Sequence, residues 1–243
     1  DSGSAPGEAT QAAVLGAGTC LITGGTGGLG RLIARHAVTA WGYTDVVLAS
    51  RSGKRAAGAS EFAAELAGLG ATVRIEACDF GDRAAVHALV ESIDDLTAVV
   101  HCAGGSANGL VADLTGADLP PAWQAKADGA WWLHEATRGR ELAAYVLLSS
   151  AGGQVMAAGQ GTYAAANTFL DGLAEERHSV GLPATAIAYG LWRAETGLSS
   201  MLREQDWDRL ERGGFPPLDA GHALGLLDAA IADGSPVLAA LTI

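Results

Sequence analysis

Residues 18–38, GTCLITGGTGGLGRLIARHAV, decide the fold of this chain. The apolar run from Thr19 to Thr23 predicts a buried strand, and the residues after the glycines predict a helix. Between them, Gly24, Gly28 and Gly30 give the spacing GxxxGxG, which lets the backbone turn tightly and approach a pyrophosphate at a helix N-terminus. This order of elements favours dinucleotide binding; the alternative is a Gly-rich turn that only connects a strand to a helix.

Strands and helices alternate along the rest of the chain, with no internal repeat. The alternation predicts an α/β fold, a Rossmann-like doubly wound parallel sheet of about seven strands with helices on both faces. Further strands are predicted at 44–50, 71–79, 97–102, 145–150, 182–192 and 236–242. Helices are predicted at 56–69, around 119–137, from residue 163 onward and at 219–233.

The two segments outside this pattern have their own composition. Residues 1–17 are small and polar, which predicts a linker, so that 18–243 form one domain of something longer. Residues 194–215 carry mixed charge on an amphipathic pattern, which indicates a mobile helical lid at the edge of a substrate pocket.

The composition excludes several classes of protein. The 243 residues are 49% hydrophobic and 17% charged, which suits a compact α/β enzyme. A net charge of −12 disfavours nucleic-acid binding, and no segment predicts a signal peptide or a membrane span, so we expect a cytoplasmic protein. Cys20, Cys78 and Cys102 fall in predicted strands and are expected to be core residues, and no His/Cys cluster indicates a metal.

Residues 145–173, YVLLSSAGGQVMAAGQGTYAAANTFLDGL, carry the candidate catalytic groups. Ser150 ends a predicted strand, and Tyr163 and Asn167 lie four residues apart on one face of a predicted helix. The Tyr could act as a general acid if a nearby cation pulled its pKa below about 10, while the Ser holds a carbonyl oxygen. The alternative interpretation is a buried Tyr and a helix-capping Ser.

Lys126 is a candidate for that cation. It lies in a predicted helix that is otherwise rich in Ala and Trp, and it would serve Tyr163 if it faced the same pocket. An isolated Lys is otherwise solvated or snorkels to the surface.

The ends of the other predicted strands carry candidate cofactor contacts. Arg51 follows the second strand where an NAD site would have a carboxylate, which favours NADPH; the alternative is a solvated turn residue. Asp79 could accept a hydrogen bond from an adenine amine or cap the next helix, for which Asp82 is also a candidate. The small residues Ala103 and Gly104 would let a flat ring or a ribose lie against the backbone, as any strand exit would.

These motifs resemble the short-chain dehydrogenase/reductase superfamily in TGGTGGLG, in HCAG after the fourth strand and in Ser150 with Tyr163. The usual pattern of that superfamily has a Lys four residues after the Tyr, where this chain has Asn167. The exchange of that Lys for Lys126 is typical of ketoreductase domains of modular polyketide synthases. The stretches SSAGGQVMAAGQGTYAAANTFLDGLA, ASRSG, CDFGD and AYGLW are similar to that subfamily, and the resemblance covers about residues 18–243.

The resemblance implies NADPH-dependent reduction of a 3-oxoacyl thioester, carried by phosphopantetheine on an acyl carrier protein, to the 3-hydroxyacyl form. It makes Tyr163 the proton donor, Ser150 the group that holds the carbonyl oxygen, Lys126 the group that lowers the pKa of the Tyr through the cofactor ribose and a proton relay, and Asn167 a positioning residue. The cofactor-binding residues that it implies are Gly24, Thr26, Gly28, Leu29, Gly30, Ser50, Arg51, Asp79, Phe80, Ala103 and Gly104.

The chain departs from the family at the positions that accompany the hand of the product. A Leu-Asp-Asp motif of one class is replaced by Ser106, Ala107 and Asn108, and the Trp of the other class, eight residues before the Tyr, is replaced by Val155. The missing acidic motif favours the L-hydroxy, or A-type, product. Family members usually carry an N-terminal structural half, so that half or neighbouring synthase domains are expected partners.

Two other functions are compatible with these residues. One is a redox-silent or epimerising scaffold domain of the same assembly line. The other is a free-standing short-chain reductase of a diffusible ketone.

Overall fold

A computed structural model of the chain describes residues 15–104, 123–153, 161–193 and 216–242. Its strands are β1 (Thr19–Thr23), β2 (Asp45–Ser50), β3 (Thr72–Ala77), β4 (Leu96–His101), β5 (Ala144–Ser150), β6 (Thr185–Tyr189), β7 (Trp192–Arg193), β8 (Leu218–Asp219) and β9 (Val237–Ala240). Its α-helices are α1 (Gly28–Thr39), α2 (Ala59–Gly68), α3 (Arg83–Glu91), α4 (Gly129–Thr137), α5 (Gly161–Ser179) and α6 (Ala220–Asp233). A π-helical turn, Gln124–Asp128, leads directly into α4, and short 3-10 turns lie at Gly53–Arg55 and Ala151–Gly153.

The main sheet has seven strands in the order β3-β2-β1-β4-β5-β6-β9 among the described residues. Every neighbouring pair is parallel. The chain moves outward from β1 in both directions, which places a topological switch point between β1 and β4, where ligands of doubly wound sheets bind. The predicted Rossmann-like fold is therefore confirmed. A separate pair of two-residue strands, β7 and β8, was not predicted, because such short strands leave no periodicity in the sequence.

Helices cover both faces of the sheet, and each face has its own apolar core. Cys20 and Ile22 of β1 pack with α1, α2 and α6, whereas Leu21, which points the other way, packs with α3, α4 and α5. All five residues of β1 are buried. This burial on both sides explains why the strand is an unbroken apolar run and not an alternating one.

Four strands, β3, β4, β6 and β9, end earlier than the sequence indicated, and the last two end at Tyr189 and Ala240. β3 ends at Ala77 and β4 at His101, so Cys78, Asp79 and Cys102 follow the strands and are not part of them. The neighbouring strands β2 and β1 end at Ser50 and Thr23, and their last carbonyls accept from the amides of Cys78 and Cys102 at 3.0 and 3.2 Å. Pairing then stops because no partner strand continues.

The helices also differ from their predicted bounds, and α5 and α6 begin at Gly161 and Ala220 instead of 163 and 219. α2 begins at Ala59 and not at 56, because Gly58 before it adopts a left-handed conformation with φ of 65°. The described part of the helix predicted around 119–137 divides into the π-helical turn and α4.

Some predicted features lie outside the described residues. They are most of the linker at 1–17, the lid at 194–215 and the positions that accompany the product hand, Ser106, Ala107, Asn108 and Val155.

The described residues contain neither a helix that could span a membrane nor a cluster of metal ligands. None of the helices in these ranges combines the length and apolarity needed to cross a membrane. Within the same ranges, no three or more His, Cys, Asp or Glu side chains come together in a way that could hold a metal ion.

The N-cap of α3 is Asp82. Its carboxylate accepts hydrogen bonds from the amides of Ala84 and Ala85 at 2.9 and 3.4 Å. Asp79, the other candidate from the sequence, instead accepts from the amide of Gly81 at 3.0 Å and closes the turn before the helix.

The Asp82→Ala variant should lower the free energy of unfolding by about 1 kcal/mol, because the amides of the first turn lose their acceptor. Urea denaturation at pH 7 measures this change. The control is Asp82→Asn, which keeps an acceptor oxygen and should retain stability to within about 0.5 kcal/mol. An equal loss in both variants would mean that the charge of Asp82, and not its hydrogen bonds, stabilises the helix.

Candidate functional site

The candidate site lies at the carboxyl edge of the sheet. β1, β4 and β5 end there at Thr23, His101 and Ser150. The Gly-rich turn follows the first of these strands, and Ala103 and Gly104 follow the second. Parallel pairing therefore brings three stretches that are distant in sequence to one edge.

The Gly-rich turn folds back closely on itself. Gly24 has φ of 65°, and its carbonyl accepts from the amide of Gly27 at 2.9 Å. A Cβ atom on Gly30 would lie 2.2 Å from the carbonyl oxygen of Gly24, and one on Gly24 would lie 3.0 Å from the backbone of Ala103. Side chains at these two positions would push the turn away from the helix and from the end of β4.

The N-terminus of α1 fits a phosphate. Its N-cap residue, Gly27, makes no side-chain cap, and its first turn has no acidic residue. By contrast, α3 and α6 are capped by the carboxylates of Asp82 and Asp219. The amides of the first turn of α1 are thus left for an anion, which the helix dipole also favours. These donors fit the pyrophosphate of a nicotinamide dinucleotide.

Side chains fix the Gly-rich turn to its surroundings. The hydroxyl of Thr26 donates to Ser50 at 2.8 Å, and Ser50 accepts from the amide of Gly53 at 3.1 Å, which ties the turn to the end of β2. Arg31 donates from Nε to the carbonyl of Thr26 at 2.9 Å and from Nη2 to the carbonyl of Ala57. Sequence reasoning missed Arg31, because a lone Arg on an amphipathic helix carries no signal of such a role.

The remaining predicted cofactor residues differ in exposure. Arg51 is exposed directly after β2, and Leu29 is half-buried against the core beneath α1. The ring of Phe80 is buried and packs edge-on against His101 at 6.1 Å between centroids, so only its backbone is available to a ligand. Gly104 is exposed, and a Cβ there would meet Cδ of Lys126 at 3.4 Å.

Lys126 and Tyr163 come together at this edge. Lys126 is only 7% exposed, donates from Nζ to the carbonyl of Leu148 at 2.8 Å and lies 5.7 Å from the centre of the Tyr163 ring. The alternative of a solvated or snorkelling Lys is therefore wrong. Tyr163 is half-buried, whereas the alternative interpretation expected a buried Tyr.

Ser150 and Asn167 flank this pair on β5 and α5. Ser150 is half-buried and accepts from the amide of Gly152 at 3.2 Å, which leaves its own hydrogen to donate. Asn167 is fully buried and donates from Nδ2 to the carbonyl of Tyr163 at 2.7 Å; its Oδ1 has no partner in the described part of the chain. Ser149, which sequence reasoning missed, donates to the carbonyl of Asn167 at 3.3 Å and so joins β5 to α5.

Burial controls the charge of Lys126. Desolvation lowers the pKa of Lys126 to about 8, while the nearby Cys102 and Asp171 raise it. Asp171 lies one helical turn after Asn167 on α5 and is buried. The ammonium form therefore persists at neutral pH and would stabilise negative charge that develops on the phenol oxygen of Tyr163.

The comparisons with known proteins agree with this geometry. A family model described as the KR domain matches residues 18–194. Polyketide synthase GfsB of Streptomyces halstedii is 47% identical over 227 residues, and the spectinabilin polyketide synthase system protein NorB of Streptomyces orinoci is 48% identical over 219 residues. These matches cover 92% and 88% of this chain but only 4% and 10% of the two synthases.

Solved structures match over the whole fold. A structure of A-type ketoreductases from a modular polyketide synthase is 39% identical, with a TM-score of 0.88, and covers 100% of this chain and 51% of that chain. The first ketoreductase of the tylosin synthase is 40% identical, with a TM-score of 0.84, over 93% of this chain and 49% of that chain. The present chain thus spans about half the length of these solved chains.

The Gly30→Ala variant should weaken the binding of a nicotinamide dinucleotide by at least about tenfold, because its Cβ would force the turn away from the helix N-terminus. Isothermal titration with NADPH measures this affinity. The control is Gly68→Ala at the end of α2, where an added Cβ meets no atom within 4 Å, and it should bind like the wild type. Unchanged binding by Gly30→Ala would exclude this turn as the phosphate site.

Proposed function

Because the chain belongs to the KR domain family, as a ketoreductase domain of the modular polyketide synthase type within the short-chain dehydrogenase/reductase superfamily, we propose that it reduces a 3-oxoacyl thioester to the 3-hydroxyacyl form with NADPH. One observation carries the proposal. A buried ammonium, Lys126, lies 5.7 Å from the ring of a half-buried phenol, Tyr163, at the carboxyl edge of the sheet.

Each residue of the site has one task in this reduction. Ser150 donates its hydroxyl hydrogen to the carbonyl oxygen of the substrate, and Tyr163 transfers a proton to that oxygen as charge develops. Lys126 offsets the negative charge left on the phenol, and Asn167 fixes the helical turn that carries the Tyr through its bond to the Tyr163 carbonyl. When bound, the reduced nicotinamide supplies the hydride that adds to the carbonyl carbon.

The choice of NADPH over NADH rests on the end of β2. The residues there are Ser50, Arg51 and Ser52, without a carboxylate to accept from a ribose 2′-hydroxyl. The exposed guanidinium of Arg51 suits a 2′-phosphate. The residues that would hold the rest of the cofactor are Gly24, Thr26, Gly28, Leu29, Gly30, Asp79, Ala103, Gly104 and the backbone of Phe80.

The relatives support our proposal for the product and the partners. The chain has no Leu-Asp-Asp at 106–108, and A-type ketoreductases are among the structures similar to it, which supports an L-hydroxy product. The curated relatives are polyketide synthases far longer than this chain. We therefore expect an acyl carrier protein to present the substrate, and a structural half or neighbouring synthase domains to lie beside this one.

The decisive experiment follows oxidation of NADPH with a 3-oxoacyl N-acetylcysteamine thioester and separates the product on a chiral column. One dominant L-hydroxy enantiomer is the expected result. A dominant D-hydroxy product would contradict the proposed hand alone. If NADPH binds but neither this thioester nor its carrier-bound form is reduced, the chain is a redox-silent or epimerising domain. Faster turnover of a simple diffusible ketone would favour a free-standing reductase.

The Tyr163→Phe variant should reduce kcat by about 10²–10⁴-fold, because it removes the proton donor, while the Kd of NADPH stays unchanged. Steady-state kinetics and titration with NADPH measure the two quantities. The matched control is Tyr43→Phe, since this buried Tyr precedes β2 at the opposite edge of the sheet and should leave kcat unaltered. A kcat of Tyr163→Phe near that of the wild type would show that Tyr163 is not the proton donor.

The Arg51→Ala variant should reduce the preference for NADPH over NADH by about 10–100-fold. This is the change expected from the loss of one or two charge-assisted hydrogen bonds to the 2′-phosphate. The ratio of kcat/KM with the two cofactors measures this. Arg138→Ala removes an exposed charge at the end of α4 and serves as the control. An unchanged ratio in Arg51→Ala would mean that another group binds the 2′-phosphate.

A further inference from the structure

A chain of buried hydrogen bonds connects the end of β1 to the backbone of Lys126. The hydroxyl of Thr23 lies 2.8 Å from Nδ1 of His101, and Nε2 of His101 lies 2.9 Å from the carbonyl oxygen of Lys126. Both Thr23 and His101 are inaccessible to solvent, at 0% and 1% exposure. The imidazole therefore bridges two strand ends and the π-helical turn.

The chemistry of the partners fixes the direction of each hydrogen bond. Thr23 Oγ1 already accepts from the amides of Cys102 and Ala103, both at 3.1 Å, so its single hydrogen is directed at Nδ1 of His101. The carbonyl of Lys126 can only accept, so Nε2 of His101 carries the other hydrogen. The contact with Thr23 requires the neutral ring, because Nδ1 accepts there, and burial lowers the pKa of His101 to about 3, which keeps it neutral at physiological pH.

The carbonyl of Lys126 lies in an irregular segment that needs such support. The π-helical turn displaces the hydrogen-bond ladder of the helix, and the amide of Gly129 is shared between the carbonyls of Gln124 and Lys126. His101 adds a hydrogen bond from outside the helix and fixes this backbone against β4. Lys126 is then held at two points, at its carbonyl by His101 and at Nζ by the carbonyl of Leu148.

We infer that His101 is a positioning residue for Lys126, acting as a neutral imidazole that fixes the backbone of the π-helical turn so that the ammonium stays beside Tyr163. The inference rests on the proposed function, in which Lys126 is the cation of the site. Sequence reasoning used HCAG for its small residues only and assigned His101 no role.

A purely structural role for His101 is the competing hypothesis, because its ring also packs edge-on against Phe80. The two hypotheses differ in what they predict for a variant that keeps the packing. A structural residue affects the free energy of unfolding, whereas a positioning residue also affects kcat and the titration of Lys126 in the folded protein.

The first test compares His101→Phe, which keeps a ring but removes both hydrogen bonds, with His101→Gln, which keeps an N–H donor. In His101→Phe, kcat for the thioester should fall by about 10–100-fold, since small displacements of catalytic groups have effects of this size, while the Kd of NADPH is retained. His101→Gln should recover most of the loss. The control is His134→Phe, a buried His that contacts Arg177 and Trp131, and it should retain kcat in the folded fraction.

The second test does not depend on turnover. The sequence has two lysines, the exposed Lys54 and the buried Lys126, so NMR of protein labelled at lysine Cε and Nζ gives one signal for each. Folding lowers the pKa of Lys126, so its ammonium persists below about pH 8 and is lost as the pH rises through that value. The titratable groups near its ammonium are Cys102, Asp171, Tyr163 and the neutral His101.

In His101→Phe the released π-helical turn lets Nζ reach water, so the titration of Lys126 should move upward from about 8 toward the ordinary value of 10.5. The alkaline limb of the kcat profile should move in the same direction. Where His101→Phe does not fold, Thr23→Val breaks the same chain at its other end and should produce the same shift.

The outcomes separate this inference from the proposed function. A wild type that never reduces the thioester, combined with a shifted Lys126 titration in His101→Phe, would reject the proposed function and leave the positioning of Lys126 intact. An unchanged titration and an unchanged kcat in a folded His101→Phe would overturn the inference about His101 whether or not the wild type is active.

Discussion

The burial of one ammonium constrains the architecture of this site. A charged Lys transferred from water to the protein interior is costly unless fixed polar groups replace its hydration. Lys126 finds such a group in the carbonyl of Leu148, and the carboxylate of Asp171 favours its charged form. Its stem passes Gly104, where a Cβ would be in contact with it at 3.4 Å. The π-helical turn, the exit of β4 and the end of β5 must all keep their positions for the charge to be tolerated.

The parallel sheet supplies those fixed positions and also separates two kinds of charge along one edge. The uncapped N-terminus of α1 presents amide dipoles that favour an anion, and the Gly-rich turn before it is tied to β2 through Thr26 and Ser50. On the other side of the switch point, β4 and β5 hold the cation Lys126 beside Tyr163. A phosphate and a developing phenolate would thus be stabilised by different groups, because the strand order places the residues that support them on opposite sides of β1.

The sequence predicted the fold well because both faces of the sheet are covered. An unbroken apolar run such as β1, followed by a Gly-rich turn, is compatible with few other folds, whereas the ends of β3 and β4 depended on where neighbouring strands stop pairing. The sequence also predicted that Tyr163 and Asn167 lie on one helix face, but it did not predict whether Lys126 is buried. It could not predict the π-helical turn, since QAKAD has ordinary helical composition and the hydrogen bond between His101 and the carbonyl of Lys126 joins residues 25 apart in sequence. Arg31, Ser149 and His101 act through backbone carbonyls of distant elements, and such contacts leave no pattern in local sequence.

The cost of the buried ammonium also bears on whether the domain catalyses a reaction or serves only as a scaffold. A scaffold needs the two apolar cores and the sheet, and an apolar residue at position 126 would satisfy both without desolvating a charge. The chain instead keeps the ammonium, orients it with hydrogen bonds at both ends of the residue and leaves the phenol beside it half-exposed. Ionisable groups with shifted pKa values are concentrated at sites where proton transfer takes place. The arrangement lowers stability while it positions a charge, which favours a working reductase over a silent domain.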